Sequence, residues 1–332
     1  MSTIGISPFL TPALLRQGAA LRSGLEQATS ELASARHNDT GAALSGDFTA
    51  LAGIDAARAR IRGHTTAMTE ARLLSDGMQA ALGVIAEAAE SLAANITTTA
   101  VTHDPLQVNM MAGQGRQSFE TVVNTLNTSV AERALFGGVI SSNAPLPDAD
   151  VLLTALEAAT SGATTAEDAM QAIEDWFAAP TGYAALYGGG ASRAPISIAE
   201  GESVDLGLTA LDPALRDTLS ALAGVALLDR GLLGGNDAAR SSLVLKAGES
   251  IFAGAEARSL ISSRLGIAQE RIAVAQSRNS AEDHSLQRAR VELTEADPYE
   301  VAARLKDFEA RLEAFYTVIS RISQLSLTGF LR

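Results

Sequence analysis

The last part of the chain carries an unbroken heptad pattern, which constrains the fold more than any other feature of the sequence. Apolar residues at alternating steps of four and three line one side of an α-helix, as in a coiled-coil seam. The helix is predicted to begin at Asp297-Pro298, where an aspartate N-cap precedes a proline at the first helical position. The residues of this seam are Val301, Leu305, Phe308, Leu312, Phe315, Ile319 and Ile322.

A second seam near the N-terminus predicts a partner helix. The two seams predict terminal axial helices formed by residues 1–40 and 291–332, and we interpret them as the assembly interface of the chain. They pack either on each other within one chain or against neighbouring subunits. We favour assembly, because a thin pair of arms buries too little apolar surface to offset its own loss of chain entropy. The N-terminal members of the predicted interface are Leu14, Leu21, Leu25 and Leu32.

The residues between the two ends predict a helical rod. Long helical patterns extend over about 47–99, 106–133 and 241–294. The predicted fold class is therefore mainly α, a long antiparallel, coiled-coil-like rod formed by both chain ends. Its rod domain is assigned to residues 41–139 and 205–290.

Residues 140–204 differ from the rod, because Gly, Pro and Thr become more frequent there. We expect a small, inserted, outward-facing α/β domain that can be deleted without loss of the rod. Its predicted elements are short helices over 148–159 and 166–177 and strands over 194–198 and 203–208, the last crossing the domain boundary.

Charge and composition exclude several classes of function. The chain has 25 Lys and Arg against 38 Asp and Glu, a net charge of −13, so no basic surface for nucleic acid is predicted. It contains no cysteine, which excludes disulfides and thiolate chemistry. No apolar stretch is long enough to span a membrane, and residues 1–8 lack the pattern of a cleavable secretory signal.

No catalytic, cofactor-binding or metal-binding residues are predicted. The four histidines, His37, His64, His103 and His284, are far apart and lack the spacing of metal ligands. The Gly113–Gly115 segment begins like a dinucleotide-binding motif, but it lacks the third glycine and follows a helix.

Four segments of the sequence resemble one family of proteins. The heptad-like arm Leu14–Arg36 and the motif Leu135-Phe136-Gly137-Gly138 are two of them. The others are the strand pair leading to Asp212-Pro213, over Ile196–Leu211, and the terminal sequence Glu309–Arg332. Together these segments resemble the bacterial flagellins and flagellar hook-associated junction proteins.

This resemblance implies a structural subunit of the bacterial flagellum that joins the hook to the filament. It further implies an extracellular protein, exported through the flagellar secretion apparatus without a cleaved signal peptide. The implied partners are other copies of the chain, a neighbouring hook-associated protein, flagellin and an export chaperone. One alternative is a flagellin that forms the filament itself. Another, of a different class, is a soluble helical enzyme.

Overall fold

The computed structural model describes residues 10–99 and 104–330. Residues 1–9 and 331–332, at the outer ends of the predicted terminal arms, and His103 lie outside the described residues. Helices dominate, so the expected mainly α fold is confirmed. The helices are α1 (Leu10–Ser34), α2 (Thr40–Ala43), α3 (Thr49–Thr99), α4 (Pro105–Leu126), α5 (Ala149–Thr160), α6 (Ala166–Ala178), α7 (Tyr183–Leu186), α8 (Pro213–Asp229), α9 (Asp237–Ala253), α10 (Ala255–Thr294) and α11 (Pro298–Phe330). The strands are β1 (Ser129–Val130), β2 (Arg133–Ala134), β3 (Ile196–Ala199) and β4 (Glu202–Val204), which form the two antiparallel pairs β1–β2 and β3–β4.

Contacts divide the described residues into two compact units. The terminal unit comprises residues from 1–60 and 281–332, and the central unit comprises residues from 61–280. Both boundaries fall within helices, α3 and α10. The domain limits predicted from sequence differ from these boundaries and stay a prediction.

The terminal unit is built around the antiparallel helices α1 and α11. The chain enters and leaves this pair through a short β-bridge between Arg36 and Glu295. The amide of Ala296 donates to the carbonyl of Ala35 at 3.2 Å beside the bridge. A small core of Ala28, Ala296 and Val301 lies at this end of the pair.

The central unit has one hydrophobic core with α8 at its centre. Residues 218–228 of this helix are all buried, as expected for a helix that is apolar on every side. Helix α4 approaches it closely, since a Cβ added at Gly115 would lie 2.5 Å from Cγ1 of Val225. Helices α6 and α9 also pack on α8.

Residues from the predicted inserted domain contribute to this same core. Leu152 and Leu156 of α5, Ile173 of α6 and Tyr183 of α7 are buried within it. The Tyr183 hydroxyl donates to the carbonyl of Ala210 at 2.9 Å. The segment 140–204 therefore shares a hydrophobic core with the rest of the central unit. This shared core is relevant to the expectation that the segment can be deleted without loss of the rod.

Aspartate-proline pairs start the helices where the sequence places them. Asp297 accepts from the amide of Tyr299 at 2.8 Å, and Asp212 accepts from the amide of Ala214 at 3.1 Å. These contacts satisfy amides that lack intrahelical partners. The predicted start of α11 is confirmed, and α8 begins with the same kind of cap.

Two of the long predicted helices are shorter than expected. The helix predicted over 106–133 ends at Leu126, where Asn127 forms the C-cap. The remaining predicted residues form the β1–β2 hairpin, whose turn residues Ala131 and Glu132 adopt left-handed φ angles of 50° and 62°. The helix predicted over 241–294 is divided at Gly254, which lies between α9 and α10. There the guanidinium of Arg258 donates to the carbonyl of Ile251 at 3.0 Å.

Candidate assembly interface

The predicted interface residues lie on the described parts of α1 and α11. Of them Val301 is buried, Leu32 is 39% exposed, and the others are half-buried. The two seams therefore pair within one chain, as one of the two sequence interpretations expects, but the pairing leaves much of their apolar surface accessible. The half-buried residues are Leu14, Leu21, Leu25, Leu305, Phe308, Leu312, Phe315, Ile319 and Ile322.

Two glycines of α1 receive aromatic rings from α11. A Cβ at Gly24 would lie 2.5 Å from Cε1 of Phe308, and a Cβ at Gly18 would lie 2.8 Å from Cε1 of Phe315. The helices approach closely here because these positions carry no side chain. Neither glycine is among the interface residues predicted from the sequence, although a glycine inside a heptad pattern is an unfavourable helix residue that calls for a packing reason.

A buried carboxylate holds the two helices together near the β-bridge. Glu31 of α1 is only 2% exposed, and its Oε2 accepts from the guanidinium of Arg304 on α11 at 2.8 Å. Its Oε1 accepts from the amide of Asn38 at 3.1 Å and from the side chain of Gln27 at 3.4 Å. Burial acts to raise the pKa of the carboxyl, but together the three hydrogen-bond partners outweigh it and hold the pKa below its ordinary value.

Polar and apolar groups meet again farther along the pair. The guanidinium of Arg22 donates to the hydroxyl of Tyr316 at 2.6 Å and lies 5.9 Å from the centre of its ring. Tyr316 remains 45% exposed, and Leu15 and Val318 are 71% and 49% exposed. The helix pair therefore has apolar surface on its outside as well as along its seam.

Within the described ranges, no group of three or more His, Asp or Glu side chains is arranged to hold a metal ion. In the same residues, no helix combines the length and the apolar character needed to cross a membrane.

Comparison with known families bears on the same helices. Residues 256–331 match the family described as the bacterial flagellin C-terminal helical region. The C-terminal region of this chain is flagellin-like. The match covers α11 with its whole seam and nearly all of α10. It confirms the flagellin resemblance for the C-terminal part of the chain, which includes all but the last residue of the terminal sequence Glu309–Arg332.

Two solved structures are similar to the chain at low sequence identity. A protein from Vibrio parahaemolyticus, provisionally described as a flagellar hook-associated protein, has a TM-score of 0.53 at 14% identity, over 75% of this chain and 99% of that one. FlgL from Bacillus cereus has a TM-score of 0.48 at 13% identity, over 70% of this chain and 96% of its own. No curated protein matches the chain significantly. The Vibrio likeness establishes a common fold.

Proposed function

We propose that the chain is a structural subunit of the bacterial flagellum, located at the junction between hook and filament. The observation that carries this proposal is the flagellin-like C-terminal region, whose apolar seam is only half-covered by α1. The Vibrio protein that shares the fold is described as hook-associated, which favours the junction.

The terminal helices act in this proposal as the surface through which copies stack. Leu312 and Phe315 lie midway along α11 and keep accessible apolar surface in the single chain. Burial of such surface against neighbouring copies removes apolar groups from water, which favours assembly where it outweighs the entropy lost on association. The role of the chain is mechanical, and it catalyses no reaction.

Export and partner contacts follow from the same proposal. The chain leaves the cell through the flagellar secretion apparatus, held by an export chaperone before secretion. In the flagellum it contacts other copies of itself, a neighbouring hook-associated protein and flagellin. The alternative within this class, a flagellin that builds the filament, uses the same terminal surface and differs in copy number.

Immunogold labelling of isolated flagella tests the location. The junction proposal expects gold at one point, where the hook meets the filament, and about one ring of subunits per flagellum by quantitative mass spectrometry. Label along the whole filament would establish the flagellin alternative instead. Absence of label from flagella of expressing cells would overturn both, and a strain without the gene controls for the antibody.

The substitution Leu312→Asp tests the terminal surface. A carboxylate placed in a dry contact between copies costs at least about 2 kcal/mol per contact, and the lost side chain adds to this cost. We expect a folded, secreted protein that is missing from flagella, and cells that shed flagellin. Glu313→Gln, at an exposed position of the same helix, is the control and should incorporate normally. Normal flagella in the Leu312→Asp strain would show that the seam is not an assembly surface.

A further inference from the structure

Helix α10 carries a second apolar row, which remains largely exposed among the described residues. Leu260, Ile267 and Val274 are 51%, 59% and 59% exposed and recur every seven residues. Seven residues are close to two helical turns, so these side chains lie on one side of α10 about 10 Å apart. Single exposed apolar residues are ordinary on proteins, whereas a heptad row is typical of a helix that packs on another helix. The buried side of α10 is a different one, formed by Leu265, Ala268, Ile272 and Ala275.

Arginines follow this row with the same repeat. Arg264, Arg271 and Arg278 each come four residues after one of the apolar residues, and all three are exposed. Arg278 donates to Glu202 at 2.9 Å, so this end of the row also contacts the β3–β4 hairpin. In a chain of net charge −13, a regular row of three arginines is a distinctive surface. We name these three arginines and three apolar residues together the α10 stripe.

Helix α3 carries a stripe of the opposite charge. Leu73 and Val84 are 48% and 43% exposed, and Ala80 is exposed between them. The acidic residues of this stripe are exposed on the same helix. The α3 stripe is defined by Leu73, Asp76, Ala80, Val84, Glu87 and Glu90.

We propose that the α10 stripe of one copy of this chain docks on the α3 stripe of a second copy. Both stripes belong to the central unit and extend over about 25–27 Å of helix at 1.5 Å per residue, so they match in length. Apolar side chains meet apolar side chains, and arginines meet carboxylates. The inference rests on the proposed function, to which it adds a contact outside the terminal helices.

Charge selects this pairing over the symmetric ones. Two α10 stripes packed together would bring their arginine rows side by side, and two α3 stripes would bring their carboxylates together. Both pairings are unfavourable, because like charges across an interface repel each other. The mixed pairing avoids both. Because each copy offers two different surfaces, the contact is heterologous and can extend from copy to copy into a ring or a helical array.

Cysteine cross-linking tests the contact without background, since the chain has no cysteine of its own. Full-length Ile267→Cys is mixed with full-length Leu73→Cys, Ala80→Cys or Glu87→Cys, whose positions cover the α3 stripe at heptad steps. A short bismaleimide added at a concentration where the protein sediments as an assembly should give a cross-linked dimer in at least one mixture. Ile267→Cys mixed with Ala158→Cys, at an exposed position on α5, is the matched control and should give none.

Charge reversal supplies a second measurement on the same full-length chain. Arg271→Glu should raise the concentration needed for assembly by roughly tenfold, because it places like charges across the contact. Glu87→Arg should do the same. The double variant, Arg271→Glu with Glu87→Arg, should recover assembly near the original concentration.

The outcomes separate this inference from the proposed function. Assemblies that form normally but give no α10–α3 cross-link would overturn the inference and leave the flagellar proposal intact. A cross-linked dimer from Ile267→Cys alone would replace it with symmetric α10 pairing. If the chain neither assembles in solution nor reaches the flagellum, both proposals are wrong.

Discussion

At the scale of single residues, the α1–α11 contact depends on the absence of a side chain at Gly24. In Gly24→Leu, the new side chain would overlap the ring of Phe308, and overpacking of this kind costs about 1–3 kcal/mol. Helix propensity alone predicts that the substitution stabilises the helix, since leucine is a better helix former than glycine by several tenths of a kcal/mol. Gly53→Leu is the control, because Gly53 is an exposed α3 residue of the terminal unit with nothing within 4 Å of its added Cβ.

Far-UV circular dichroism in urea measures this prediction. Trp176 is the single tryptophan and belongs to the central unit, so its fluorescence reports that unit separately. We expect Gly24→Leu to lose helix at a lower urea concentration than the original chain, with the Trp176 fluorescence transition unchanged. Gly53→Leu should lose helix at the same urea concentration as the original chain, or at a higher one. Equal stability of the two variants would show that the close approach of α1 and α11 does not matter.

Glu31 gives the terminal unit a pH dependence of predictable sign. Its pKa in the folded chain lies below the model-compound value of 4.5, so its contribution to stability is complete above about pH 4.5 and is lost as the pH falls through the lower, folded-state value. The protection factors of α1 and α11, which are corrected for the pH dependence of intrinsic amide exchange, should therefore fall on acidification. Glu31→Gln should already show faster exchange at pH 7, with less further change in acid.

Glu26→Gln is the matched control for this prediction, since Glu26 is an exposed residue of the same helix. It should exchange like the original chain at pH 7. If Glu31→Gln also kept its original protection at pH 7, the hydrogen bonds to Arg304 and Asn38 would contribute nothing to holding the pair together.

At the scale of elements, the Leu135-Phe136-Gly137-Gly138 motif fixes the chain where it leaves the β1–β2 hairpin. Phe136 is fully buried, and its carbonyl accepts from the hydroxyl of Tyr187 at 3.1 Å. Gly138 has a φ of +62°, and a Cβ there would lie 2.3 Å from the carbonyl oxygen of Ala191. The guanidinium of Arg193 donates to the carbonyl of Gly138 at 2.8 Å.

Gly138→Ala should therefore destabilise the central unit more than conformational strain alone predicts. A left-handed φ costs an alanine about 1–2 kcal/mol, and the clash with backbone adds roughly 1–3 kcal/mol. Gly201→Ala isolates the first contribution, because Gly201 has a φ of +73° and nothing within 4 Å of an added Cβ. Urea unfolding followed by Trp176 fluorescence compares them, and equal losses would contradict the role of the close contact.

At the scale of the whole molecule, residues 140–204 are expected to be needed for the central unit to fold. Their deletion, closed by a Gly/Ser linker, removes Leu152, Leu156 and Ile173 from the core around α8. Each lost large side chain of this kind costs about 2–5 kcal/mol, and a typical domain has only 5–15 kcal/mol of stability. Calorimetry of the variant should show no cooperative transition of the central unit.

The conservative control keeps the segment and removes only surface atoms. Thr154 lies on the exposed side of α5, and the variant Thr154→Ala should retain the cooperative unfolding transition of the central unit. A deletion variant that unfolds cooperatively near the original temperature would restore the separable insertion that the sequence suggested.

The sequence by itself determined the features that depend on local chemistry and repeat. The seam from Val301 to Ile322 defined α11, because its period of 3.5 residues fits only a helix with a partner. Aspartate before proline set the starts of α8 and α11, since the cap and the fixed φ act within one turn. The terminal sequence also carried the resemblance that the flagellin-like match confirmed.

Only the tertiary structure decided which surfaces meet. Gly18 and Gly24 interrupt the heptad pattern, but the sequence does not say what packs on them. Their partners are rings about 290 residues away in the chain, in the pairs Gly18–Phe315 and Gly24–Phe308. The central place of α8 and the shared core of residues 140–204 followed from packing that composition does not reveal. The uncovered stripes on α3 and α10 likewise appeared only when burial separated the two apolar rows of each helix, because periodicity marks a face without saying what covers it.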